Sequence, residues 1–405
     1  MAAVAFRLGQ RVHAAGDPAR VGTVRYLGPV DGHPGDWLGV DWDAGAGGRH
    51  DGSLAGRRYF VAAGERSASF ARPTALSAGI TLPDAIRNRY RVEEFTKEEQ
   101  DEMYVFSTSQ KRVSVELVGK NKVEEKLKNL NDLTSASVSY MGVSSIGPGD
   151  ELKNLVPNLR QLDLTGNLLS QWQDIFSLCE ALASLEILDL TNNTMENDFT
   201  DSSSVKNIRV LVLNYCGVTW ELVEKIKVSF SCLSELHLMT NRIKAMMTPV
   251  GNIVQGFDTL RLLNLEDNHI DSWDEIVKLS YLRSLEQLHL NKNMLKHVTY
   301  PSNPPPLGSL GDAAVLPFEK LRVLLLGSNQ IDEVLSVDSL NLFPSLTVGK
   351  LKSLCESFFK LKDVKLRLYL EEEGCPMPQF FEEDTVSLME LGIGTGSTII
   401  VDEES

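Results

Sequence analysis

The feature that most restricts this chain is a repeat. The pattern L-x-x-L-x-L-x-x-N-x-L can be laid eight times over residues 133–331. A degenerate first copy runs Leu133, Ala136, Val138, Met141, Val143, and two clear ones follow, Leu159-Leu162-Leu164-Asn167-Leu169 and Leu185-Leu188-Leu190-Asn193-Met195. The other five start at Ile208, Leu233, Leu260, Leu285 and Leu321; Cys216 holds the asparagine position in the first of these, and Asn241, Asn268, Asn293 and Asn329 hold it in the rest. Starts lie 23 to 27 residues apart until a final step of 36, which takes in the loop YPSNPPPLGSLGD. A single unit of this size cannot bury its own leucines, so copies must stack into a solenoid. Each L-x-L reads as a short parallel strand with leucines inward and the residue between them on the concave face. The asparagine falls where the chain turns away, and its amide can bond backbone groups that the turn strands.

This spacing resembles leucine-rich repeats. The concave row then runs Asp163, Asp189, Val212, His237, Asn264, His289, Leu325. Asp163, Asp189, His237, Asn264 and His289 give it a mixed polar character that suits protein binding more than chemistry. His237 and His289 stand two rungs apart, about 10 Å at roughly 4.8 Å per rung, too far to share one metal ion. Trp172, Trp220 and Trp273 recur after three of the turns, in SQWQDIF, TWELVEKI and SWDEIVKL. Ser170 with Gln173, and Ser272 with Glu275, have capping-box spacing, so helices are expected there. The tryptophans are expected to pack those helices onto the solenoid rather than to stand exposed.

Ahead of the repeats, residues 1–80 hold fourteen of the thirty glycines, nine arginines, no lysine and seven acids. Short runs (GTVRYLG, WLGVDWD, GRRYF, SFARP) between glycine turns predict a small all-β domain. Its slight positive charge contrasts with −15 for the whole chain, a total that disfavours nucleic acid as the partner. Residues 81–126 read as a charged helical connector, 127–346 as the repeats, and 347–405 as helix, strand, helix (DTVSLMELGI), turn and strand. Five scattered cysteines, never spaced CxxC, fit neither a disulfide framework nor zinc. No run of about 18 apolar residues predicts a membrane span, and the N-terminus lacks a signal-peptide pattern, which leaves a cytoplasmic reading. There is no P-loop, HExxH or GxSxG, the GIGTGS glycines fall between helix and strand, and no nucleophile, base and oxyanion site recur together. No catalytic residue, cofactor or metal is assigned.

The head carries the most specific motif. Gly48-Arg49-His50-Asp51-Gly52, with PGDWLGVDWD before it and YF then SFARP after it, resembles the CAP-Gly domain over residues 7–76. The family's loop is GKNDG, so Arg49 stands for lysine and His50 for asparagine. The resemblance implies a groove for acidic C-termini ending in an aromatic residue. Trp37, Phe70 and Arg72 would flank it, with Gly48, Arg49, His50, Asp51 and Gly52 as the loop. Loop N–H groups and Arg49 would hold the carboxylates, and the aromatics the terminal ring. The internal Glu93-Glu94-Phe95 is excluded as a ligand because recognition needs a free carboxylate.

A CAP-Gly head, a leucine-rich solenoid and a ubiquitin-like piece, in that order, resemble the tubulin-folding cofactor E family; LRQLDLTGNLLSQW, LRLLNLEDNHIDSW and SLMELGIGTGSTIIVDEE carry the match. The fold class implied is multidomain: an all-β head, an α/β solenoid and an incomplete β-grasp (ubiquitin-like) C-terminus. The family implies α-tubulin as partner, β-tubulin brought by cofactor D, cofactor C in release, and cytoskeletal association. A microtubule-associated CAP-Gly adaptor carrying cargo on its repeats is the competing reading. The ubiquitin-like piece lacks its first hairpin, so the chain reads as a shortened isoform or gene model missing an internal segment. That loss is expected to leave the edge of the strand at Thr398–Val401 exposed.

Overall fold

The computed structural model describes residues 6–43, 47–90, 104–106, 112–114, 129–199, 204–247, 254–299, 318, 320–331, 333–335, 347–359, 366–371, 379–381, 383–388, 390–391 and 398–403. They fall into two compact units, one of residues 1–169 with 174–185, the other of 170–173 with 186–405.

In the first unit the glycine-punctuated runs form a five-stranded antiparallel sheet. Its order is Ala68–Ala71, His33–Trp42, Asp17–Val30, Arg11–Ala14, Leu76–Ser77. Val12, Val24, Leu38, Val40, Trp42 and Leu76 fill its core. The chain then leaves as Ile80–Thr81, which pairs in parallel with Val143–Ser145 of the first repeat. Thr81 caps the helix Leu82–Arg89, its hydroxyl accepting from the Asp84 N–H, and Pro83 sits in the first turn where no donor is needed.

Leu82, Pro83, Ala85 and Ile86 of that helix are buried. Arg87 reaches Glu151 at 2.7 Å, and the Ser137 N–H donates to the Tyr90 hydroxyl at 2.8 Å. The start of the expected solvated connector is therefore a packed cover for the solenoid's first rung, because its four apolar residues share one face. Further on, Tyr104–Phe106 and Arg112–Ser114 pair as antiparallel strands, where a helix was expected. Glu93, Glu94 and Phe95 lie outside the described residues.

Every repeat supplies its strand. Ser135–Ser137 and Gln161–Asp163 pair in the first unit. In the second, Ile187–Asp189, Val210–Val212, Glu235–His237, Leu262–Asn264, Gln287–His289 and Val323–Leu325 run parallel in that order, leucine opposite leucine. The six repeat asparagines are buried. Asn268 shows why: its amide donates to the Leu238 and Leu265 carbonyls at 2.9 and 3.0 Å, and its oxygen accepts from Asn241 and Ile243 N–H at 3.1 and 3.0 Å. Cys216 replaces only the donor half, its thiol reaching the Leu190 carbonyl at 3.1 Å. The residue before each of these positions turns through positive φ, as at Asn192, Tyr215, Thr240, Asp267, Lys292 and Ser328.

Helices Trp172–Ala181, Trp220–Ser229 and Trp273–Val277 begin at the three tryptophans, all of which are buried. Trp172 packs on Phe199 and Phe230 and donates to the Glu196 carbonyl at 2.8 Å. Ser272 caps its helix by accepting from Asp274 N–H, while Glu275 turns instead to Lys278 at 2.7 Å and the Met246 N–H at 2.5 Å. The reciprocal bond of a capping box thus gives way to an ion pair.

At the C-terminal end, helix Val348–Phe359 covers a three-stranded antiparallel sheet in the order Gln379–Phe380, Leu366–Glu371, Thr398–Glu403. Val348, Leu366, Leu368, Leu370 and Phe381 form a small core. The segment expected as a helix over DTVSLMELGI is instead a set of turns in its described residues. Its Asp384 and Val386 carbonyls accept from Gly349 and Val348 N–H, so the start of the long helix holds it out of a helix of its own. Thr398–Glu403 lies alongside Val323–Leu325, with Cα atoms within 8 Å, so the strand expected to stand open has a neighbour. The GIGTGS glycines, the loop after Tyr300, and residues 336–346, where a missing hairpin was inferred, lie outside the described residues. Among the described residues no helix is long and apolar enough to cross a membrane.

Candidate functional site

The head's sheet places Trp37, Gly39, Phe70 and Arg72 on one face, because Gly39 pairs with Phe70 and side chains alternate along each strand. Gly39 is the floor. A Cβ there would lie 2.3 Å from Phe60 Cε1 and 2.9 Å from Tyr26 Cβ, so only glycine lets those rings settle against the sheet. Phe70 is the centre of the aromatic set: Tyr59 stands at 5.2 Å, Phe60 at 5.8 Å and Tyr26 at 6.1 Å, each edge to face. His50 stacks on it at 4.9 Å with 33° between planes. The Arg72 guanidinium lies 3.8 Å over the Trp37 ring and donates to the Pro34 and Asp36 carbonyls at 2.6 and 3.1 Å.

The loop from Gly48 to Gly52 is held by its own backbone. Gly48 N–H donates to the Arg66 carbonyl at 2.8 Å, and Arg49 and His50 N–H both reach the Ala68 carbonyl, at 2.7 and 3.2 Å. Gly52 N–H donates to His50 Nδ1 at 3.0 Å, and Ser53 N–H to Asp51 Oδ1 at 3.1 Å. These five N–H groups are already engaged within the head. Gly52 sits at φ +93° with the Phe60 carbonyl oxygen 2.2 Å from where a Cβ would be, which is why glycine closes the loop.

The electrostatics follow from this wiring. Because Nδ1 accepts the Gly52 bond, neutral His50 carries its proton on Nε2 and presents a donor. Its pKa is lowered, chiefly by burial, against the pull of Asp51 and with the push of Arg49. Asp51 is held below its ordinary range first by the Ser53 N–H, with the Ser53 hydroxyl and Arg58 adding to it. Asp51 is thus a brace that also carries Arg58 at 2.8 Å.

Sequence reasoning named Trp37, Phe70, Arg72 and the loop; the structure also gathers Tyr26, Tyr59 and Phe60 around Phe70, which that reading left out. The alternation of Tyr26 with Leu27, and Tyr59-Phe60 just past the loop, were the available signals.

On the solenoid, Asp163 accepts from Ser139 and Ser137 hydroxyls at 2.6 and 2.8 Å and from Thr165 N–H at 2.9 Å. Burial tends to raise its pKa, yet these hydrogen bonds together lower it. Asp189 accepts from Thr191 N–H at 2.8 Å and Asn264 from Glu266 N–H at 2.9 Å. These three close the strand ends as Asx turns, a structural duty the repeat pattern did not reveal. His237 lies 3.5 Å from Glu235, and register puts Asn264 between it and His289.

The fold is that of an all-β CAP-Gly-type head followed by a leucine-rich-repeat solenoid. A CAP-Gly domain matches residues 8–76. The chain is 38% identical to a protein named tubulin-folding cofactor E from Arabidopsis thaliana, over 99% of this chain and 98% of the relative. It is 35% and 31% identical to proteins named tubulin-specific chaperone E from Danio rerio and Homo sapiens, each over 84% of this chain and 62% of the relative. The chain belongs to the tubulin-folding cofactor E family. The Arabidopsis match runs over 526 positions against 405 residues here, so the relative has at least 121 positions with no counterpart in this chain, inside a match that reaches both ends.

Proposed function

We propose that this protein is a tubulin-folding cofactor that binds α-tubulin and takes part in assembling and dissociating the α/β-tubulin heterodimer, with cofactors D and C as co-workers. The head grips the acidic C-terminus of α-tubulin and the solenoid meets the body. The observation that carries this reading is the Phe70-centred aromatic set bordered by Arg49, His50 Nε2 and Arg72. It offers a flat apolar seat for a terminal ring and side-chain donors for a carboxylate. Arg49 takes the acidic residues; His50 donates from Nε2; Asp51 and the backbone hold the loop. The chain itself performs no covalent chemistry in this scheme.

The test is binding of full-length protein to α-tubulin with and without its terminal aromatic residue, repeated with Arg49→Ala. Removing either should weaken binding by about tenfold, the size of one charge-assisted contact or buried ring. Equal affinity in every case overturns the head's role. Lowering of polymer in a sedimentation assay supports the cofactor; cosedimentation that leaves polymer unchanged supports an adaptor instead.

A further inference from the structure

The residues just before the solenoid strands stack in a column. The Glu186 carbonyl accepts from Arg209 N–H, Arg209 from Ser234, Ser234 from Arg261, Arg261 from Glu286, and Glu286 from Arg322, at 2.7–2.8 Å each. Acid and arginine alternate along this column except at one rung. Ser234 stands between Arg209 and Arg261, where the alternation calls for a carboxylate. At that rung there is a recess of about 340 Å³ whose lining includes three cations, Arg209, Arg261 and Lys320, against two acids, Asp258 and Glu286.

The recess is polar without being self-satisfied. Among the described residues Arg209 is exposed and has no side-chain partner. Arg261 meets Glu286 only at 3.8 Å and is 69% exposed, a pair too loose and too wet to hold it firmly. The hydroxyls of Ser234, Thr259 and Ser284 donate to the Arg209, Leu233 and Asp258 carbonyls, so they offer no hydrogen to a ligand. The free donors are the two guanidiniums and Lys320. Neighbouring rungs are about 4.8 Å apart, so a carboxylate over Ser234 has an arginine one rung away on either side.

We propose that this rung is a docking site for an acidic polypeptide segment of a partner, with one Asp or Glu side chain filling the missing place in the column. It needs only an internal carboxylate, which separates it from the head's recognition of a free C-terminus. It does not depend on the role proposed above for the head.

The probe is a labelled peptide of consecutive glutamates, amidated at its C-terminus, titrated against the full chain at low salt by fluorescence anisotropy. Arg209→Ala with Arg261→Ala should weaken binding at least tenfold. Ser234→Glu should do the same by filling the gap from within, and should keep or raise the melting midpoint. Lys153→Ala, at an exposed cation outside both sites, should leave the titration unchanged. Equal affinity across the variants, an equal loss with Lys153→Ala, or binding of inorganic phosphate without binding of the peptide would each overturn the proposal. If Ser234→Glu melts early, Arg209→Ala alone, at an exposed position, decides the question.

Discussion

Head and solenoid make opposite use of their polar groups. In the solenoid the repeated polar side chain is an internal fastener. Asn268 uses both donor and acceptor on neighbouring turns, and Asp189 and Asn264 bend back onto their own strands. In the head the loop is fastened by its main chain together with the His50 and Asp51 side chains, while Arg49 stays exposed. Glycine makes this possible at Gly39 and Gly52, where any side chain would collide with Phe60.

The largest test of this contrast is Asn268→Ala, which strands buried N–H groups of Asn241 and Ile243 and two carbonyls. It should cost about 3–4 kcal/mol in chemical denaturation, at about 1–3 kcal/mol per orphaned group with partial relaxation. A loss under about 1 kcal/mol would break the fastener argument. Next is Gly52→Ala, which should cost about 2–3 kcal/mol through positive φ and the clash with Phe60, and should alter the near-UV dichroism of the aromatic set. An unchanged spectrum would show that the loop tolerates a side chain.

Phe70→Ala should weaken binding of an acidic peptide ending in an aromatic residue by about tenfold or more, read by calorimetry; Asp189→Ala should leave that titration unchanged. The smallest effect is in pH. His50 has a folded pKa below its unfolded value near 6.5, so it favours the neutral form. Its contribution is present above the unfolded pKa and is lost as pH falls through the lowered folded value. A His50→Asn chain should therefore lose less head stability than the parent on going from pH 7 to pH 5, read in paired melting curves; an equal loss in both chains would remove His50 from the pH response.

How much of this was readable in the residues differs by region for the same reason. All eight strands were legible because the leucine spacing repeats, and self-similar evidence accumulates over copies. The tryptophans' burial followed from their place in that register. In the head the CAP-Gly motif pointed to Trp37, Phe70 and Arg72, yet Tyr26, Tyr59 and Phe60 come together only through strand pairing across more than thirty residues. The turns at 384–391 were misread because their local pattern suits a helix, while their carbonyls serve Val348 and Gly349.

By itself, the sequence determined that the middle of the chain must stack into parallel rungs, that asparagine must fasten them, and that the glycine-rich head must be a small β-domain. Those follow from periodicity and from backbone geometry, which are local. Only the tertiary structure decided that the N–H groups of Gly48, Arg49, His50, Gly52 and Ser53 are engaged within the head. It likewise decided that the first connector helix covers the solenoid's opening rung, and that Thr398–Glu403 has a neighbour in Val323–Leu325. Each of these depends on which donors and edges meet across long separations, and hydrogen-bond partners that far apart leave no periodic trace in the chain.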